Sequence, residues 1–211
     1  MMETEFFDIF SEDMTKIGKE SRSNVHAKGL WHQTFHCWII KKSSGEGLHI
    51  LFQLRHKNKD IFPSLLDISC AGHLQSGESV EDGVRELHEE LGISVTFKDL
   101  ISCGMVAQEH VFSDALIDRE FNNVFIYESD KPLEEYSIQE TELSGLYWVD
   151  YKEFKELLNR DRDYLTSEGF FVDEVSRSFM NDTRKLFRED FTPNSDKYYK
   201  ILFEKINKYL K

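Results

Sequence analysis

The chain has 211 residues, enough for one full-sized domain with its own core and too few for a second independent one. Apolar residues make up 40% and charged residues 31%, with 17 Phe, 8 Tyr and 3 Pro, a composition that argues against intrinsic disorder. A formal net charge of -13 argues against binding a nucleic acid polymer, which needs clustered Lys and Arg; a phosphorylated small molecule can still be bound where a metal ion or a local basic patch screens its charge.

The chain starts acidic, without the basic stretch and apolar run of a signal peptide, and no segment approaches the ~20 apolar residues of a membrane span. Residues 1–29 read as an extension, with a short strand and turn over 5–10 and 16–19 and then a polar stretch. The core is expected over about 30–160. It opens with strands at 35–40 and 48–55 around the turn signal Ser43-Ser44-Gly45-Glu46-Gly47, a hairpin pattern. A short apolar run at 65–70 leads into Ala71-Gly72 and a polar loop at 73–77; a helical pattern over 79–91 follows, closed by Gly92. Further strands are expected at 94–97, 100–110, 121–128 and 145–149. Phe154, Leu157 and Leu158 then bring back helical spacing, and a last helix over 195–210 sets Tyr199, Leu202, Phe203 and Ile206 on one stripe. Residues 160–211 read as a helical extension without a motif, expected to cap a pocket or to form the contact of a homodimer. The whole is a layered α/β or α+β domain. Cys37, Cys70 and Cys103 stand far apart, odd in number and without a CxxC pair, which fits a reducing cytoplasm and suggests neither disulfides nor a zinc site.

Chemistry concentrates in 72–93. Val80, Val84, Leu87 and Leu91 fall on one helical stripe, while Glu86, Glu89 and Glu90 cluster away from it. Each like-charged pair costs a few tenths of a kcal/mol (roughly) even in solvent. A hard divalent cation offsets this repulsion, and Mg²⁺ prefers such oxygen ligands together with water and substrate phosphate. Ser79, with Asp82 three residues on, suits the helix N-terminus; Arg85 is one turn from Glu89 and can reach back to Glu78 to orient it.

This segment resembles the Nudix box, which runs Gly, five residues, Glu, seven residues, Arg-Glu, an aliphatic residue, any residue, Glu-Glu, any residue, Gly, an aliphatic residue. It departs once: six residues, not seven, separate Glu78 from Arg85. The shortening falls upstream of Arg85, Glu86, Glu89 and Glu90, and it puts the placement of Glu78 in question. The resemblance implies a Nudix fold, an α/β/α sandwich with a mixed sheet and added C-terminal helices. It further implies Mg²⁺ held by Glu86, Glu89 and Glu90 and the backbone carbonyl of Ala71, with Mn²⁺ able to substitute, and water attack on a diphosphate phosphorus. Arg85 and Glu120 join the three glutamates as expected catalytic residues, Glu120 as a further ligand or general base, and Gly72 and His73 are expected to line the substrate.

Beyond the box, residues 6–154 are similar to the isopentenyl-diphosphate-isomerase-like branch, the run 25–38 above all. The isomerases place a catalytic Cys where Ala71 stands. Cys70 is one residue early and, on a strand, faces the other way. Those enzymes also hold a metal through histidines and a Glu-x-Glu pair. His32 and His73 match, Asp118-Arg119-Glu120 stands where the pair would be, and His26 is one residue out of register. For His26 and His36 structural or surface roles are expected. Arg55 and Lys59 match the spacing of residues that hold the diphosphate in these relatives. Trp31, Phe35, Trp38 and Trp148 are expected mainly in the core. The expected activity is hydrolysis of a nucleoside diphosphate derivative or another X-linked diphosphate, with an isopentenyl diphosphate isomerase second and a noncatalytic ligand-binding module third.

Overall fold

The computed structural model describes residues 5–42, 47–173 and 175–210. Its elements in chain order are β1 (Phe6–Phe10), β2 (Lys16–Ser21), α1 (Arg22–Lys28), β3 (Trp31–Lys42), β4 (Leu48–Arg55), β5 (Leu66–Ile68), β6 (Cys70–His73), α2 (Arg85–Leu91), β7 (Ile101–Ser113), β8 (Leu116–Glu128), β9 (Leu143–Asp150), α3 (Tyr151–Leu158), β10 (Leu165–Val172), β11 (Phe179–Leu186) and α4 (Asp196–Tyr209). The strands join in one mixed sheet whose main path runs β11-β10-β9-β4-β3-β1-β2. At its centre β3 pairs in parallel with β8, from Trp31 opposite Arg119 to Ile40 opposite Glu128, and antiparallel with β6, β4 and β1. The expected hairpin of β3 and β4 is present, while residues 43–46 of its turn signal lie outside the described residues.

Both faces of β3 are buried from Thr34 to Ile40, where Phe35, Cys37, Trp38, Ile39 and Ile40 are apolar and Thr34 and His36 are buried polar residues. Phe35, Cys37 and Ile39 face a cluster with Leu87 and Leu91 of α2. Trp38 and Ile40 face the opposite cluster, with Phe154 and Leu157 of α3 and Tyr198, Leu202 and Ile206 of α4. Helices on both faces of the sheet make the expected α/β/α sandwich.

Four local expectations are corrected. The polar stretch after residue 21 is helix α1, whose outward side chains are polar because only Val25 and His26 are buried. Residues 94–97 form no strand; a 3-10 turn follows at Phe97–Asp99. The expected helix over 79–91 is shorter: a 3-10 turn, Asp82–Val84, precedes an α-helix that starts at Arg85. Finally, residues 160–211 are not all helical. β10 and β11 form a hairpin there, and β10 adds to the open edge of β9, with Phe171 opposite Gly145 and Glu168 opposite Trp148. The alternation Leu165, Ser167, Gly169 inward and Thr166, Glu168 outward carries the period of two that this pairing uses.

Leu202 is fully buried between α4 and the sheet. Leu202→Ala is expected to cost about 2–5 kcal/mol and to lower the melting temperature by roughly 5–15 °C. Calorimetric melting checks this, and a shift under about 2 °C would mean that α4 lies outside the cooperative unit.

Candidate active site

The α2 carboxylates enter the site over the edge of β6. Leu87 and Leu91 anchor the helix on the sheet, and Gly92, in the left-handed region at φ 65, turns the chain away after Leu91. Glu86 packs so close over Gly72 that a Cβ there would run into its carboxylate and displace it. Glu90 accepts a hydrogen bond from the Ala71 amide at 3.3 Å. Burial pushes the Glu86 carboxyl up to about 7, with Arg85 opposing, and burial and then Glu86 push Glu90 up to about 8. Glu89 is the exposed member of the three.

Arg85 ties this group together. Its Nε donates to Glu78 Oε1 at 2.7 Å and its Nη2 to Glu78 Oε2 and to the His73 carbonyl, both at 3.1 Å. Its Nη1 bridges Glu86 Oε1 at 2.7 Å and Glu89 Oε2 at 3.1 Å. Burial raises the Glu78 carboxyl, but the Arg85 fork and the Gln75 amide outweigh it and hold Glu78 below its usual range. The short spacing between Glu78 and Arg85 is absorbed by the 3-10 turn, where the Asp82, Gly83 and Val84 amides bond three residues back. Glu78 therefore meets Arg85 in a two-point contact.

A second group lies on the face of the sheet that carries Ala71. Nε2 of His26 stands 3.5 Å from Asp118 Oδ1; Nε2 of His32 stands 3.7 Å from Asp118 Oδ1 and 3.9 Å from Glu120 Oε1; Nε2 of His73 stands 3.6 Å from Glu120 Oε1. Ligand atoms of His26, His32 and His73 lie within 4.8 Å of one another, and so do those of His32, Asp118 and Glu120. His32 Nδ1 donates to the Leu30 carbonyl at 3.0 Å, which fixes its tautomer and turns Nε2 into the cluster. Phe7 stacks on His73 at 4.6 Å and on His32 at 5.3 Å, walling the group from solvent. Burial lowers His32 to about 4 and His73 well below its usual range, and burial raises Glu120, with Asp118 adding to it.

Three atoms of this group, His32 Nε2, His73 Nε2 and Asp118 Oδ1, are buried without a hydrogen-bond partner among the described residues. Such atoms cost about 1–3 kcal/mol each when left unmade, so the donor set fits a bound cation. Neutral imidazoles with carboxylates suit a transition ion such as Zn²⁺ or Mn²⁺, whereas the all-oxygen set on α2 suits Mg²⁺. Glu120 stands with the histidines. His26, expected to be structural, joins them because α1 turns it inward and so absorbs its one-residue register slip; Asp118 joins them too.

Both groups open on one cavity of about 600 Å³, also lined by Arg55 and Lys59. Arg55 is engaged by its own loop: Nη1 pairs with Asp67 at 2.7 Å, Nη2 donates to the Ile61 carbonyl at 2.8 Å, and Nε is shared between the Ile61 and Phe62 carbonyls at 3.1 Å. Lys59 pairs with Glu142. Cys70 is buried on the far face with Leu87 and Leu91, while Ala71 lines the cavity. Three further wall residues, Thr192, Pro193 and Asn194, come from the segment before α4; no motif marks them in the sequence.

A mixed sheet between helical layers, with an Arg-Glu-x-x-Glu-Glu helix edge-on to a glycine, defines a Nudix-type protein, and the NUDIX domain family model matches residues 30–168. The chain belongs to the Nudix family. Over 95% of its length it is similar to an uncharacterized Nudix hydrolase of Clostridium acetobutylicum, 43% identical and covered to 96%. It is also similar to isopentenyl-diphosphate Delta-isomerase 2 of Photorhabdus laumondii, 29% identical over 71% of this chain and 80% of that one. A crystal structure of DR0079 from Deinococcus radiodurans superposes with a TM-score of 0.52 at 21% identity, over 74% of this chain and 89% of that one, and shares the fold.

Proposed function

We propose that this protein hydrolyses a diphosphate linkage in a small molecule, a nucleoside diphosphate derivative or another X-linked diphosphate, with Mg²⁺ held by Glu86, Glu89 and Glu90 and the Ala71 carbonyl. The observation that carries the proposal is the approach of Glu86 and Glu90 to the Gly72 and Ala71 backbone, at the wall of a cavity large enough for such a substrate. When bound there, Mg²⁺ would lower the pKa of water and neutralise charge on the phosphoryl oxygens. Arg85 sets the rotamers of Glu78, Glu86 and Glu89, so the carboxylates meet the substrate already oriented. Without the ion, burial raises Glu86 and Glu90 toward neutrality, so binding Mg²⁺ near pH 7 would release protons from them and hold them as carboxylates. The three cysteines are free, in keeping with a reducing cytoplasm, and among the described residues no helix is long and apolar enough to cross a membrane.

An isomerase-like activity is the second reading, and the group of His26, His32, His73, Asp118 and Glu120 favours it. Against it stands Ala71, whose methyl group can neither donate nor accept the proton that a double-bond shift requires. A panel of diphosphates assayed with Mg²⁺ for released phosphate or monophosphate, and for isomerised product, decides between the two. Hydrolysis is expected, reduced roughly 10²–10³-fold by Glu89→Gln. Isomerised product without hydrolysis would reverse the ranking, and tight binding without turnover would leave a noncatalytic module.

A further inference from the structure

His36 lines the cavity but belongs to neither ligand group. It lies on β3 directly opposite Ala71 of β6. Side chains of antiparallel partners share a face with Cβ atoms about 5 Å apart, so the imidazole stands beside the backbone that Glu86 and Glu90 approach. Its Nδ1 is 3.0 Å from the Tyr198 hydroxyl oxygen, and the same oxygen is 3.0 Å from Trp38 Nε1.

The proton positions follow from the donor inventory. An indole N–H can only donate, so Trp38 uses a lone pair of the Tyr198 oxygen; were His36 Nδ1 to donate as well, the buried hydroxyl proton would have no acceptor among the described residues, so it points at His36 Nδ1. A neutral imidazole that accepts at Nδ1 carries its proton on Nε2. A ring that accepts at Nδ1 has one proton and is neutral. The chain's cationic groups around the cavity are committed internally: Arg22 to Glu5, Arg55 to Asp67, Lys59 to Glu142 and Arg85 to Glu78. His36, by contrast, makes its hydrogen bond to Tyr198 through Nδ1 and lines the cavity, so Nε2 is the ring nitrogen available to a ligand.

We infer that His36 is a neutral hydrogen-bond donor of fixed tautomer that holds a non-bridging oxygen of the substrate's diphosphate through Nε2, with Tyr198 and Trp38 as the positioning residues that fix it. The inference rests on reading the cavity as a diphosphate site. It also gives α4 a part in recognition, since Tyr198 reaches His36 from 162 residues away.

The test uses the full-length protein and methylenediphosphonate, which carries two phosphoryl groups, no further substituent and no hydrolysable bridge. Affinity is measured by titration calorimetry at fixed excess Mg²⁺, beside melting curves. In His36→Asn the amide reaches the place of Nδ1 and can keep the Tyr198 bond, but nothing donates from the place of Nε2. Gln in His36→Gln is long enough to put an N–H there. His36→Asn is expected to bind about tenfold more weakly, the loss of one donor to a charged oxygen; His36→Gln is expected to stay within about threefold of the parent. Tyr198→Phe, which keeps the ring packing and covers the case of a His36→Asn chain that does not fold, is expected to lose about three- to fivefold. The double variant should bind no more weakly than His36→Asn alone. Unchanged affinity in His36→Asn or Tyr198→Phe, a glutamine variant as weak as the asparagine one, or no binding to the parent protein would each overturn the inference. Binding that depends on His36 without turnover of any diphosphate defeats the hydrolase reading alone, whereas turnover with His36-independent binding defeats this inference alone.

Discussion

Glu90→Gln is expected to slow turnover severely while raising the melting temperature of the metal-free protein, two effects of opposite sign from one buried carboxyl. Glu90 is 6% exposed, and burial together with its neighbour Glu86 raises its pKa to about 8. An acid whose folded pKa exceeds its unfolded value keeps a proton in the folded state that the unfolded chain releases. Its contribution therefore falls as pH rises from the unfolded value of about 4.5 to the folded value of about 8, and levels off above it. Gln has the shape of the protonated acid and does not titrate, and its amide oxygen can still accept from the Ala71 amide. The stability gap between variant and parent should thus widen between about pH 5 and 8, each kcal/mol appearing as about 2–4 °C. Added Mg²⁺ should narrow the gap by stabilising the parent alone. Turnover should fall roughly 10²–10³-fold. A variant within threefold of parental activity would remove the α2 carboxylates from the reaction, and a pH-independent gap would show that Glu90 ionises normally.

His73→Ala is expected to remove binding of a transition ion and leave the α2 group able to take Mg²⁺. His73 closes the triangle with His26 and His32 and stacks on Phe7, and its buried Nε2 has no hydrogen-bond partner among the described residues. Burial keeps His32 and His73 neutral, so near pH 7 an ion has no proton to displace from them; burial raises Glu120, which should release one. At about 100 times its dissociation constant, Zn²⁺ or Mn²⁺ would stabilise the parent by about 2.7 kcal/mol, or roughly 5–10 °C. That shift should vanish in His73→Ala and persist in Glu89→Gln, which lies outside the cluster. Metal analysis after dialysis, beside melting curves, checks both. Equal Zn²⁺-induced shifts in parent and His73→Ala would mean that the ion sits elsewhere.

Some of the site is legible in one dimension. Glu86, Glu89 and Glu90 share a helical side because a helix repeats every 3.6 residues, and Cys70 and Ala71 part company because a strand alternates every two. Both are local periodicities, and the fold uses both as written. The spacing between Glu78 and Arg85 shows where such counting stops: one residue fewer suggests a displaced Glu78, yet a tighter 3-10 turn restores the two-point contact. Arg55 is similar, since its spacing matches a diphosphate-binding role but its guanidinium is spent on Asp67 and on the carbonyls of its own loop.

By itself, the sequence determined the helix that carries the glutamates, the glycine they crowd, the strands of the central sheet and the substitution of alanine at position 71, all features written within a few residues of one another. Only the tertiary structure decided the rest. It brought His26 in on an unsuspected helix beside the histidines and acids that the resemblance had grouped, paired β10 with the edge of β9, and set Tyr198 against His36. Each of these depends on a contact between distant segments, where pairing and burial on the sheet outweigh local propensity.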